Sequence, residues 1–179
     1  MKSVFRERPD PLELRRRMAG WWGKVWVWWP VAFMVMVIAC ESTPTFSAEK
    51  TGGWIRPWVE RFLGHINNTV WYWIHRSIRK SGHFTGYAML CLAWLRAWLL
   101  TLSLRPGLRW WRWRAALLAI AGTFLVASLD EFHQTFLPSR TGLFSDVLID
   151  TAGGMTMCAF VWLLRWPTRK RRGDALPDR

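Results

Sequence analysis

Hydrophobic and polar positions along this chain are grouped in blocks rather than alternating residue by residue. Four apolar blocks stand out: about Trp21 to Cys40, Phe84 to Leu104, Ala115 to about Leu129, and Leu143 to Leu164. A helix that spans a bilayer needs about 20 mostly apolar residues. The first, second and fourth blocks meet this length, with Pro30 marking a kink in the first. The third has only fifteen residues between Arg114 and Asp130. It spans only if Asp130 and Glu131 sit at or just inside the membrane boundary.

The pattern therefore predicts an all-α integral membrane protein built as a four-helix transmembrane bundle over residues 21–166, with basic tails at 1–20 and 167–179. The segment 41–80 is too long for a turn. It opens on turn formers (Glu41, Ser42, Thr43, Pro44). It then carries Trp54, Trp58, Trp71 and Trp73, with Val59, Phe62, Leu63, Ile66, Val70, Ile74 and Ile78 at helical spacing. Two arrangements fit: one or two amphipathic helices on the outer membrane surface, or an ordered loop packed over the bundle.

Composition sharpens this picture. The net charge of +13 would by itself suggest a nucleic-acid partner, but the chain also holds 16 Trp. Indoles collect at membrane–water interfaces and Lys/Arg on the cytoplasmic side of membrane proteins, so no nucleic acid is expected. The three cysteines, Cys40, Cys91 and Cys158, are far apart in apolar runs, which excludes a disulfide framework or a CxxC metal site.

Basic residues also set the orientation. Seven lie in and beside the N-terminal tail, four between the second and third blocks and six at the C-terminus, giving 17 on one side. The segment 41–80 and Arg140 give 7 on the other. Both termini are expected in the cytoplasm. A rival reading of the N-terminus exists: a basic region leading to Val37-Ile38-Ala39-Cys40 resembles a lipoprotein signal cleaved before Cys40. An uncleaved first span accounts better for the long basic region and avoids an odd number of spans.

With this orientation the unusual polar residues converge on one membrane face. Lys80, His83 and Tyr87 form one stripe at i, i+3 and i+7 of the second span. Asp130, Glu131, His133 and Gln134 close the third span, Arg140 lies in the following connector, and Asp146 and Asp150 open the fourth, with Gly153 continuing their stripe. A carboxylate inside hydrocarbon costs about 2.5 to 3.5 kcal/mol and normally faces the bundle with a partner. Two readings follow. The residues lock three helix ends together, with Gly153 and Gly154 permitting close approach, or they form a site for a polar ligand at the outer surface. Arg96 lies on the opposite face of the second helix, toward the other side of the membrane, and snorkelling accounts for it.

The run Arg79-Lys80-Ser81-Gly82-His83-Phe84-Thr85-Gly86-Tyr87-Ala88-Met89-Leu90 resembles the R-K-x-x-H-F-x-x-Y-x-x-L signature of VanZ-like membrane proteins. Asp130-Glu131-Phe132-His133-Gln134-Thr135-Phe136-Leu137-Pro138-Ser139-Arg140 resembles their D-E-x-x-Q-x-F-x-P-x-R segment, with Asp146 following at the expected distance. Asp150 stands where that family usually has Asn, and Gly153 is in place. The resemblance covers about residues 25–166. It implies a multi-pass protein of the bacterial cytoplasmic membrane acting in the cell envelope, and its name-giving member is associated with teicoplanin resistance. It implies no particular reaction.

The ligand set expected is Lys80, His83, Tyr87, Asp130, Glu131, Gln134, Arg140, Asp146 and Asp150, and the partner a lipid-linked or peptidoglycan-related envelope compound or a lipoglycopeptide. The enzymatic alternative is a lipid-phosphate hydrolase or transferase, with His83, Asp130, Glu131 and Asp146 as catalytic candidates. It draws on a partial resemblance to membrane phosphatases of the phosphatidic-acid type. Lys50, Arg56-Pro57, Ser81-Gly82-His83 and Ser139-Arg140 fall in their order, but Asp146 occupies the place of the nucleophilic His. Zinc-binding spacings such as HExxH and nucleophile elbows such as GxSxG are absent, so no metal or cofactor is expected.

Overall fold

A computed structural model describes residues 20–103, 111–138 and 142–173. Five helices run in the order α1 (Trp21–Glu41), α2 (Ala48–Leu63), α3 (Asn68–Ser103), α4 (Trp111–Gln134) and α5 (Phe144–Gly173), with a 3₁₀ turn, Pro44–Phe46, between α1 and α2. No strand occurs among the described residues. Four helices, all but α2, are long and apolar enough to cross a membrane. Of the expected tails at 1–20 and 167–179, residues 1–19 and 174–179 lie outside the described residues, as do the 104–110 connector and Arg140.

The central element is α3. It packs against α5, α4 and α1, while α1 meets α4 only at its margin. At 36 residues it is about 54 Å long, well beyond a hydrocarbon core of about 30 Å. The sequence pattern starts this span at Phe84, where the apolar run begins. The helix in fact starts at Asn68, because the charges from Arg76 to Lys80 do not interrupt helical geometry. The second half of the 41–80 segment is thus the protruding amino-terminal part of a spanning helix.

The first half is an amphipathic helix, as expected. In α2 the side chains of Trp54, Trp58 and Phe62 are exposed at four-residue spacing, so they share one face. On another face Gly52 lies against the His75 ring of α3, and Thr51 Oγ1 shares a 3.2 Å hydrogen bond with His75 Nε2. The third span also exceeds its apolar run. Helix α4 extends through Asp130 and Glu131 to Gln134, with all three buried against the bundle.

The core has three layers. Ile38, Tyr87, Leu90, Ala127 and Val147 join α1, α3, α4 and α5 at the polar end. Cys91, Leu95, Leu102, Ala115 and Ala119 fill the other half, where the Cys91 and Cys158 Sγ atoms approach to 3.6 Å. Val27, Val31, Ala93 and Ala97 bring α1 onto α3, beside a cluster in which the Trp28 ring sits edge-on to Trp94 and Trp98. Small residues set the helix separations. A methyl group on Gly153 would run into the backbone carbonyl of Phe84, so α3 and α5 touch backbone to backbone there.

Arg96 has a more specific partner than the membrane surface. Its Nη1 donates to the backbone carbonyl of Val27 at 3.0 Å and reaches that of Trp26 at 3.4 Å. Pro30 lies four residues after Trp26 and has no N–H to offer that carbonyl. The arginine of α3 serves the acceptor that the proline of α1 leaves open.

Candidate functional site

At the polar end the three helix termini bring two buried aspartates close to the α3 stripe. Asp130 comes from the last turn of α4, one turn before Gln134. Tyr87 of α3 donates to Asp130 Oδ2 at 3.1 Å and Gln134 Nε2 donates to the same oxygen at 3.0 Å. Ser42, just past the end of α1, donates its hydroxyl to Oδ1, and Gln134 Nε2 also reaches Ser42 Oγ at 3.4 Å. One carboxylate thereby ties α1, α3 and α4 together, and its oxygens are satisfied.

Asp150 occupies the second turn of α5 and is 0% exposed. Neither of its oxygens has a hydrogen-bond partner. The His83 ring stands beside it, with Nδ1 at 3.6 Å from Oδ2, within ion-pair distance but beyond ordinary hydrogen-bond length. One turn earlier, Asp146 Oδ1 pairs with Lys80 Nζ at 3.2 Å. Glu131 Oε2 accepts the backbone N–H of Leu143 at 2.8 Å, which fixes the start of the next helix.

These groups line a cleft of about 270 Å³ between α3, α4 and α5. Its floor is formed by Asp150, His83, Glu131 and Gln134. Its wall continues along α3 through Lys80, Arg79, Arg76, His75 and Tyr72. Arg79 is held there by Nη1, which donates to the Phe46 carbonyl at 3.1 Å. Arg76 Nη1 donates to the Tyr72 hydroxyl at 3.2 Å. The cleft is thus acidic at its base and basic farther along α3.

Of the residues expected at the site, Lys80, His83, Tyr87, Asp130, Glu131, Gln134, Asp146 and Asp150 come together. Tyr87 and Asp130 lie behind the cleft rather than on its wall, beside a much smaller gap that His83 also borders. His133, grouped with these residues in the sequence, is exposed on the other side of α4. Arg140 lies outside the described residues, and the partner seen for Asp146 is Lys80.

Sequence reasoning missed Ser42 as a ligand of Asp130, and Tyr72, His75, Arg76 and Arg79 as cleft residues. A signal for the last four existed: they extend the Lys80–His83 stripe backward at spacings of three and four.

A family model described as VanZ/LLP1 matches residues 21–165. The chain belongs to the VanZ/LLP1 family. The match runs over all four apolar helices and the whole polar cluster, so the cluster is part of the family's domain and not an appendage. No curated protein and no solved structure matches the chain.

Of the residues in the phosphatase-like order, His83 lines the cleft, and Ser139 and Arg140 lie outside the described residues. Arg56 is engaged at the far end of α2, donating to Glu60, Asn68 and the Ile66 carbonyl at 2.8–3.0 Å. Lys50 and Ser81 are exposed and do not line the cleft. Among the described residues no three His, Cys, Asp or Glu side chains are grouped to hold a metal ion.

Proposed function

We propose that this VanZ-family membrane protein binds the polar headgroup of a lipid-linked envelope compound in the cleft between α3, α4 and α5, facing the outside of the cytoplasmic membrane. The observation that carries the reading is a cleft lined by charges of both signs, set between helices whose outer faces are apolar. A lipid can leave its chains along those faces while its headgroup enters the cleft. The exposed Trp54, Trp58 and Phe62 of α2 give the cleft rim an interfacial anchor beside it. The basic asymmetry of 17 against 7 supports termini on the cytoplasmic side. Altered sensitivity to lipoglycopeptides such as teicoplanin is a consequence this reading anticipates, since their acyl tails and polar heads divide in the same way.

The test is retention of lipid. Protein extracted in mild detergent and examined by native mass spectrometry is expected to carry a phosphorylated or glycosylated lipid. A Lys80→Gln, His83→Gln double variant is expected to lose it. Identical lipid content in wild type and variant overturns the proposal. Cysteines introduced at residues 141 and 107 should react with impermeant reagent from outside and inside respectively; the opposite pattern removes the outward-facing site.

A further inference from the structure

Asp150 holds the only buried carboxylate oxygens without a hydrogen bond among the described residues. A buried acceptor left this way costs free energy, and a carboxylate costs most. The neighbouring acids are already engaged, Asp146 by Lys80 and Glu131 by the Leu143 N–H. His83 stands 3.6 Å away, within ion-pair distance but beyond hydrogen-bond length, so it gives the carboxylate no hydrogen bond. The floor of the cleft is therefore short of a cationic hydrogen-bond donor, at one identified carboxylate.

The wall has the opposite character. Arg79 and Arg76 lie about 6 and 10 Å from His83 along the axis of α3, toward its amino end. Guanidinium groups suit phosphate oxygens, which they can bind with paired N–H donors. A phosphate alone would sit at the arginines and leave Asp150 unanswered. An amine alone would do the reverse.

We propose, resting on the lipid-headgroup reading above, that the cleft takes a headgroup carrying both a phosphate and a primary ammonium, with the ammonium on Asp150 and the phosphate against Arg76 and Arg79. The ammonium brings three N–H donors to the open carboxylate, and His83 and Gln134 flank it on the floor. A quaternary ammonium has the charge but no N–H, so it does not complete the hydrogen bonding. The separation of the two charged regions along one helix also gives the ligand a single orientation.

The full-length protein in dodecyl maltoside should be titrated with dioleoyl phosphatidylethanolamine, phosphatidylcholine and phosphatidic acid, and binding read by native mass spectrometry. Phosphatidylethanolamine is expected to bind roughly tenfold more tightly than either of the others, the equivalent of one charge-assisted hydrogen bond. Asp150→Asn should erase that preference while phosphatidic acid still binds. Arg76→Gln with Arg79→Gln should weaken phosphatidylethanolamine and phosphatidic acid alike.

Soluble O-phosphoethanolamine should compete, and its affinity relative to the lipid tells whether a free or a lipid-borne headgroup is preferred; no competition at millimolar concentration overturns the proposal. Equal binding of the three lipids by wild type also overturns it, yet leaves the lipid-headgroup reading standing. Absence of any lipid binding removes both. The wild-type series decides the matter even if a variant fails to fold.

Discussion

Asp130 and Asp150 are both buried aspartates at the polar end of the same bundle, and their surroundings differ in one respect. Asp130 accepts hydrogen bonds from Ser42, Tyr87 and Gln134, which belong to three different parts of the chain. Asp150 accepts none. The cost of placing a carboxylate at membrane depth is similar for both. For Asp130 the protein itself offsets it, and the return is a joint between α1, α3 and α4. For Asp150 the only group that offsets it among the described residues is the His83 ring, at 3.6 Å and without a hydrogen bond. The polar cluster therefore divides into a structural half and an open half, although both halves look alike in sequence.

The largest expected effect follows from that division. Asp130→Ala removes the acceptor for three buried donors and should destabilise the fold by about 3 kcal/mol. Asp150→Asn removes a buried charge that has no hydrogen bond to lose. It should be neutral or stabilising by about 1 kcal/mol. Thermal unfolding of the two variants in one detergent makes the comparison. Should Asp150→Asn prove as damaging as Asp130→Ala, the division between the halves fails.

The same contrast shows how far the sequence could lead. The four spans were legible because apolar runs of the right length have few other uses in a chain with basic flanks. The stripe Lys80–His83–Tyr87 and the stacked pair Asp130–Gln134 were legible from helical spacing alone. That Asp130 is satisfied was not, because its third donor, Ser42, lies 88 residues away and arrives only through packing. The boundary at Lys80 was misread for a related reason. Hydropathy reports where a helix leaves the apolar layer, whereas backbone hydrogen bonding decides where the helix ends. Hence α3 begins at Asn68, and its Arg76 and Arg79 line the cleft.

A smaller effect separates the two glycines that flank this region. Gly153 has the Phe84 carbonyl where a side chain would begin, and Gly82 has open space. Gly153→Ala should force α3 and α5 apart at a cost of about 1 to 3 kcal/mol and should carry Asp150 away from His83. Gly82 is exposed and a side chain there would touch nothing, so Gly82→Ala should stabilise by up to about 1 kcal/mol through helix propensity. Circular-dichroism melts give the signs. Equal destabilisation by both would mean that backbone contact at Gly153 is not what sets the helix separation.

Lys80 and Asp146 should show less still. Their side chains are 36% and 31% exposed, so solvent screens the pair. A double-mutant cycle with Lys80→Met and Asp146→Asn is expected to give a coupling of about 0.5 kcal/mol. A coupling of several kcal/mol would place this pair with Asp130 in the structural half.

The smallest effect concerns a half-buried, paired carboxylate outside the spanning helices. Glu60 closes the turn between α2 and α3: its Oε1 takes Arg56 Nε at 3.0 Å, while Arg56 Nη2 donates to the Ile66 carbonyl at 2.8 Å. The Arg56 guanidinium beside Glu60 holds its carboxyl below the usual carboxylate range. A carboxylate lowered in the folded state contributes stability above its unfolded value, about 4.3, and loses that contribution as the pH falls through the lower folded value. Acidification through this window should therefore loosen the α2–α3 turn. Hydrogen exchange on peptides covering 60–71 is expected to speed up between pH 5 and about pH 3 relative to the intrinsic rate. Glu60→Gln should abolish the pH dependence of the first region. If the turn instead exchanges at the same corrected rate throughout, the Arg56–Glu60 contact is not what holds α2 to the start of α3, and the stacking of Trp71 on His75 together with the Thr51–His75 hydrogen bond carries that attachment.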